Sequence, residues 1–225
     1  MRTKSNSCVD KKITIMAREK KERILTEKEK NRKIRIDKIT EELSQQGYVR
    51  NDKIISILFA NVMAFVLSIP FAIVFGCWFF AHNGKISEFS VSGSVFVWIA
   101  VIVLIVVHEG IHGLVWGMCS PNKFKNIEFG FIVNNLTPYC TCGDPLKKGA
   151  YILGSFMPCL TLGIIPCIVS VYINSFYLLI VGIMMIIGAG GDLTIILKML
   201  FFRSSCTDVI IMDHPTECGF IVFER

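Results

Sequence analysis

The first fifty residues hold no apolar stretch able to serve as the h-region of a cleavable signal sequence, so the first hydrophobic span is expected to direct membrane insertion itself. Internal repeats and low-complexity tracts are absent as well, which excludes a repeat array. The basic residues near the start lack aromatic neighbours. In Glu19-Lys20-Lys21-Glu22-Arg23 and Glu27-Lys28-Glu29-Lys30 they alternate with acids, the pattern of a solvated helix beside anionic headgroups rather than of a nucleic-acid surface. The net charge of +6 therefore predicts no nucleic-acid partner. Past this arm charge is scarce: residues 1–53 carry 16 of the 24 Lys and Arg.

What remains is apolar. The chain is 52% hydrophobic with a mean hydropathy of +0.55, concentrated in four runs near residues 54–80, 92–118, 149–172 and 176–202. Each is long enough to cross a hydrocarbon core of about 30 Å. The expected fold is an all-α membrane protein of four transmembrane helices, with a small β-hairpin loop between the second and third. Two parts follow: a basic helical cytoplasmic arm at 1–53, and a membrane-embedded domain at 54–225 ending in a cytoplasmic tail. With the arm in the cytosol, Lys123, Lys125, Lys147, Lys148 and the segment 203–225 are cytosolic too, and only Lys85 faces outward. The predicted location is the cell membrane, with several passes and both termini cytoplasmic. In that reducing compartment the nine cysteines should mostly be free thiols, with Cys77, Cys159 and Cys167 packing as small apolar residues inside the spans.

The second run contains His108-Glu109-Gly110-Ile111-His112. Three ionisable residues there cost about 2.5 to 3.5 kcal/mol each near a bilayer centre, so a compensating partner is required. On a helix, residues four apart share a face, so both imidazoles can grip one metal ion while Glu109 reaches a water on that metal. This is peptide-hydrolysis chemistry. The alternative is a structural role, with neutral histidines donating interhelical hydrogen bonds and Glu109 protonated.

A catalytic zinc site takes three protein ligands, so a third donor is needed. Asp192 is the only acid in the fourth run and lies ten residues before its end, as His108 lies ten before the end of the second. At 1.5 Å per residue both sit roughly 15 Å from the cytoplasmic boundary. Gly188, Gly190 and Gly191 beside it allow close helix approach or a loosened helix that turns the carboxylate toward the metal. An interhelical hydrogen bond is the plainer role for Asp192. Cys140 and Cys142 are weaker candidates because no second Cys pair accompanies them, and His82 and His214 do not share the depth of the site.

Between the second and third spans, residues 124–142 carry aromatic and β-branched residues around Asn134-Asn135, the signature of a hairpin. Its edge could pair with a substrate drawn into a strand, since a helix hides its scissile carbonyls. Simple closure of the cytoplasmic face is the other reading.

The His-Glu-x-x-His motif, Pro138-Tyr139-Cys140-Thr141-Cys142, Ser155-Phe156-Met157-Pro158, Gly191-Asp192 and Asp213-His214-Pro215 followed by Gly219 together resemble a family of bacterial zincin-like membrane peptidases over roughly residues 50–225. More remotely, the layout is similar to the site-2 protease family of intramembrane zinc metalloproteases. The resemblance implies Zn2+ on His108, His112 and Asp192, with Glu109 as general base. Gly190-Gly191-Asp192-Leu193 stands where site-2 proteases usually carry Pro-x-Asp-Gly, and the arm has no counterpart. The expectation is a zinc metallopeptidase acting on a membrane protein or peptide, in an oligomeric state that the sequence leaves open. Rival readings are a catalytically silent metal-binding membrane scaffold or regulator and a metal transporter, and other first-row ions suit the same donors.

Overall fold

The computed structural model describes residues 25–85, 90–132, 137–204 and 206–225. The Asn134-Asn135 turn and residues 1–24 of the arm lie outside these.

Helix α1 (Glu27–Gln45) starts at Thr26, whose side chain and that of Glu29 cap each other's backbone amides. It leads into β1 (Val49–Ile54) and, after Ser56 as N-cap, into α2 (Ile57–Asn83). Helix α3 (Val91–Cys119) follows, then the two-stranded hairpin β2 (Ile127–Ile132) and β3 (Thr137–Cys142). Its register pairs Phe129 with Cys140 and Phe131 with Pro138. After β4 (Leu146–Lys147), helix α4 (Lys148–Pro158) passes through a six-residue π-helical segment, Cys159–Ile164, into α5 (Ile165–Tyr172). Pro158 has no N–H to donate, and the wider turn absorbs the missing bond. Helices α6 (Phe176–Gly188) and α7 (Gly190–Phe201) meet at a 50° bend, and β5 (Val209–Asp213) and β6 (Gly219–Glu224) close the chain.

Three helical stretches are long and apolar enough to cross a membrane, Ile57–Asn83, Val91–Cys119 and Lys148–Tyr172; α6 and α7 add a fourth if the bent pair is one span. Large apolar side chains such as Phe65, Val74, Trp98 and Ile102 stay exposed along α2 and α3, as a lipid-facing surface requires. Between the helices, Phe75, Phe79, Cys159, Cys167, Leu179 and Ile186 form an inner core. Cys159 and Cys167 pack there as expected, whereas Cys77 is exposed, because it lies on the outward face of α2. All eight described cysteines are free.

The sequence expectation of an all-α fold is exceeded by a four-stranded antiparallel sheet in the order β1-β6-β5-β4. Its β1 comes from the basic segment and pairs along its whole length with β6, Val49 opposite Glu224 and Ile54 opposite Gly219. Alternation sorts the side chains: Ile211, Phe220 and Val222 face the helices with Trp116, Tyr151 and Met199, while Met212, Ile221 and Phe223 face Ile36, Leu43 and Tyr48 on the α1 side. A sheet covered on both faces needs apolar residues at every position, which explains the run Gly219-Phe220-Ile221-Val222-Phe223. The turn after α3 is fixed by buried Asp144, whose carboxylate accepts from Ser120 Oγ, from Asn122 at 3.0 Å and from Asn126 at 2.6 Å. Burial pushes its pKa up, but these donors prevail and hold it below the usual carboxylate value.

Because β1 precedes α2 directly and β5 follows α7, the sheet sits at the end of the helices where α2 begins and α7 finishes.

Candidate metal centre

Two features of the helices bring the chemistry together. On α3, His108 and His112 are one helical turn apart and both are buried, with ring centroids 4.8 Å apart. On the other side, the 50° bend at Ala189 starts a new helix at Gly190, so Asp192 falls in the first turn of α7, where unpaired backbone amides favour a carboxylate. Asp192 Oδ2 lies 3.1 Å from His108 Nε2 and 3.3 Å from His112 Nε2, and the two imidazole nitrogens are 3.1 Å from each other.

These distances can be compared with what an ion would require. Donors at about 2.0 to 2.1 Å from a tetrahedral zinc stand roughly 3.3 Å apart. All three separations are close to that edge length, and two imidazoles with one carboxylate is a donor set that zinc takes in catalytic sites. Among the described residues this is the one group of three metal-ligating side chains brought together.

His112 carries further information. Its Nδ1 is 2.9 Å from the carbonyl oxygen of Gly154 on α4. A carbonyl only accepts, so Nδ1 holds the hydrogen, and in the neutral ring the Nε2 lone pair is directed at Asp192 and His108. The ring also stacks on Trp116 at 4.9 Å and 15°, and Trp116 Nε1 donates to the Tyr151 carbonyl at 3.2 Å. The Tyr151 hydroxyl donates to Asp213, which also accepts from the backbone N–H of Cys142 at 2.7 Å. A continuous set of contacts thus joins the histidines to the hairpin and to the C-terminal sheet.

Glu109 is partly buried, and its carboxylate faces the backbone N–H of Cys140 on β3, in the electrostatic neighbourhood of both histidines and Asp192. The sequence-predicted residues His108, Glu109, His112 and Asp192 are therefore gathered in one place. The weaker candidates are elsewhere. Cys140 and Cys142 lie on β3 outside the His-His-Asp group, and burial pushes both thiols up, Cys142 to about 12. His82 is exposed at the end of α2, and His214 Nδ1 accepts from the Glu217 N–H at 2.9 Å in the β5–β6 turn.

Sequence reasoning passed over Gly154, Trp116 and Tyr151. Trp116 had a readable signal, being one turn beyond His112 on the same helix face. Gly154 had none, because it acts through its backbone carbonyl.

No curated protein and no solved structure matches the chain. Residues 101–207, which include both histidines, Glu109 and Asp192, match the family model described as "Putative zincin peptidase". Together with helices apolar enough to cross a membrane, that match supports a zincin-like, membrane-associated peptidase.

Proposed function

We propose that this chain is an intramembrane zinc metalloendopeptidase of the site-2-protease type, in which His108, His112 and Asp192 hold the ion and Glu109 is the general base. One observation carries the reading: two imidazole nitrogens and a carboxylate oxygen from separate apolar helices converge at 3.1 to 3.3 Å. Zinc, when bound, supplies a Lewis acid that brings the pKa of water toward about 7 and polarises the scissile carbonyl. Glu109 takes the proton of the attacking water and passes it to the leaving amine. The Gly154 carbonyl keeps His112 in the tautomer that offers Nε2. Placement of the acid in the first turn of α7 favours a carboxylate there, as the ligand role requires.

The substrate is a membrane protein or peptide presented as an extended strand. Among the described residues β3 pairs with β2 alone, which leaves one strand edge facing α3. On that edge Asp213 takes the Cys142 amide, and the Cys140 amide lies beside Glu109. A segment laid along it would bring a carbonyl toward the His108, His112 and Asp192 group, with Glu109 beside it to take the proton of the attacking water. The distribution of Lys and Arg supports a cytosolic position for this face and for both termini in a cell membrane.

The test is metal content per chain in purified wild type, His112→Ala and Asp192→Ala, combined with comparative membrane proteomics of cells making wild type or Glu109→Gln. The expected result is one zinc in wild type and in Glu109→Gln, loss in the two ligand variants, and an uncut membrane substrate accumulating with Glu109→Gln. Identical peptide patterns would leave a metal-binding scaffold, and continued cutting by Glu109→Gln would remove the assigned base.

A further inference from the structure

The first turns of α2 and the last turns of α7 enclose a groove of about 720 Å³, within the range of small-ligand sites. Its walls are apolar, with Phe59 and Met63 on α2 and Leu197 and Phe201 on α7. At the end nearest the sheet two ammonium groups line the same space, Lys53 from β1 and Lys198 from α7. Neither points freely into solvent. Lys198 Nζ donates to the Ile54 carbonyl at 2.7 Å, and Lys53 Nζ sits 4.9 Å above the Phe202 ring. Both side chains are half-buried, and among the described residues neither is paired with a carboxylate.

Two half-buried like charges held side by side repel one another and call for an anion. Their level in the fold says which kind. Lys53 lies four residues before the start of α2 and Lys198 three residues before the end of α7, so both mark the height at which the apolar helices leave the hydrocarbon layer. An anion at that height, continuous with an apolar groove running into the layer, is a lipid headgroup with its chain. We propose that this groove binds one anionic phospholipid, its phosphate between Lys53 and Lys198 and an acyl chain along Phe59, Met63, Leu197 and Phe201. A zwitterionic lipid is disfavoured because its own cation offsets the phosphate charge. The site needs a membrane but not peptidase activity, so its failure and the failure of the metal centre are separate results.

The experiment uses the full chain in mixed micelles of phosphatidylcholine and phosphatidylglycerol, with native mass spectrometry counting the lipid each chain retains. Wild type should keep one phosphatidylglycerol, preferred by about tenfold or more, the size of effect that two lysines near a surface supply. Lys53→Gln combined with Lys198→Gln should reduce that preference to about twofold or less, whereas the paired Arg substitutions should preserve it. Met63→Trp fills the groove with the lysines intact and should also lower retention. Lys123→Gln with Lys125→Gln, on the same side of the membrane, should leave retention unchanged. Undiminished preference in the double Gln variant, unchanged retention in Met63→Trp, or displacement of the lipid by an equal concentration of inorganic phosphate would overturn the proposal. If the double Gln variant does not fold, the Arg pair and Met63→Trp still decide it.

Discussion

A histidine offers a metal whichever ring nitrogen its other contact leaves free, so the Gly154 carbonyl matters to the site as much as the imidazole it orients. Gly154 is also closed to any larger residue, because a Cβ there would run into the Trp116 indole that stacks on His112. Gly154→Ala should displace Trp116, the carbonyl or both, and weaken metal affinity by about 10- to 100-fold, as losses of such supporting contacts typically do. Chelator competition on the purified protein measures this, with Glu109→Gln as the reference of unchanged affinity; wild-type affinity in Gly154→Ala would show that His112 needs no such support. The ligands themselves were legible in the sequence for a physical reason. Ionisable groups in an apolar run are costly enough to be rare, so His108, His112 and Asp192 stand out, and helical spacing places the first two together. The carbonyl was not legible, since every residue has one.

Among the elements, the apolar runs read from hydropathy are present, but hydropathy does not reveal their internal geometry. Hydropathy measures apolarity, not backbone angles, so the run at 149–172 gave no sign that Pro158 opens a π-helical segment, whereas the glycines beside Asp192 had already allowed a loosened helix where the run at 176–202 bends by 50°. The close approach of α7 to α2 depends on Gly190, whose hydrogen faces the backbone and side chain of Ala64 on α2; a Cβ would meet both, and a backbone cannot yield as a side-chain tip does. Gly191, one residue on, has nothing within 4 Å. Gly190→Ala should therefore destabilise the protein by about 1 to 3 kcal/mol through overpacking, and Gly191→Ala should be neutral or stabilise it by up to about 1 kcal/mol through helix propensity. Thermal unfolding of the two variants in the same detergent compares them, and equal melting temperatures would exclude the α2–α7 contact as the reason for the glycine. The four-stranded sheet escaped sequence reading because β1 is polar, Val49-Arg50-Asn51-Asp52-Lys53, and gains its partner only from β6 at the far end of the chain. The β2–β3 pairing was legible because both strands lie next to each other in sequence and carry aromatic and β-branched residues.

For the molecule as a whole, the basic segment is attached to the site rather than trailing from it. Arg32 on α1 is 6% exposed and spans three parts of the chain. Its guanidinium donates to Glu128 Oε2 on β2 at 3.1 and 3.2 Å, to the Tyr139 hydroxyl on β3 at 3.2 Å, and to the Pro215 carbonyl in the β5–β6 turn at 3.4 Å. Arg35 adds a 2.7 Å contact to the other Glu128 oxygen. The hairpin that faces Glu109 is therefore held from behind by α1. Removing one partner of a buried pair leaves the other charge without compensation; the usual cost is 3 to 5 kcal/mol, reduced here to about 2 to 3 because Glu128 retains some contact with water and with Arg35. Arg32→Lys cannot restore the fork that reaches Glu128 Oε2, the Tyr139 hydroxyl and the Pro215 carbonyl at once, so it should behave more like Arg32→Ala than like wild type. Both variants should bind metal as wild type does yet cleave substrate more slowly, with hydrogen exchange faster at the β2 and β3 amides and unchanged in α3. Faster exchange in α3 as well would mean that the arm supports the fold in general, and unchanged cleavage with a loosened hairpin would separate the hairpin from catalysis.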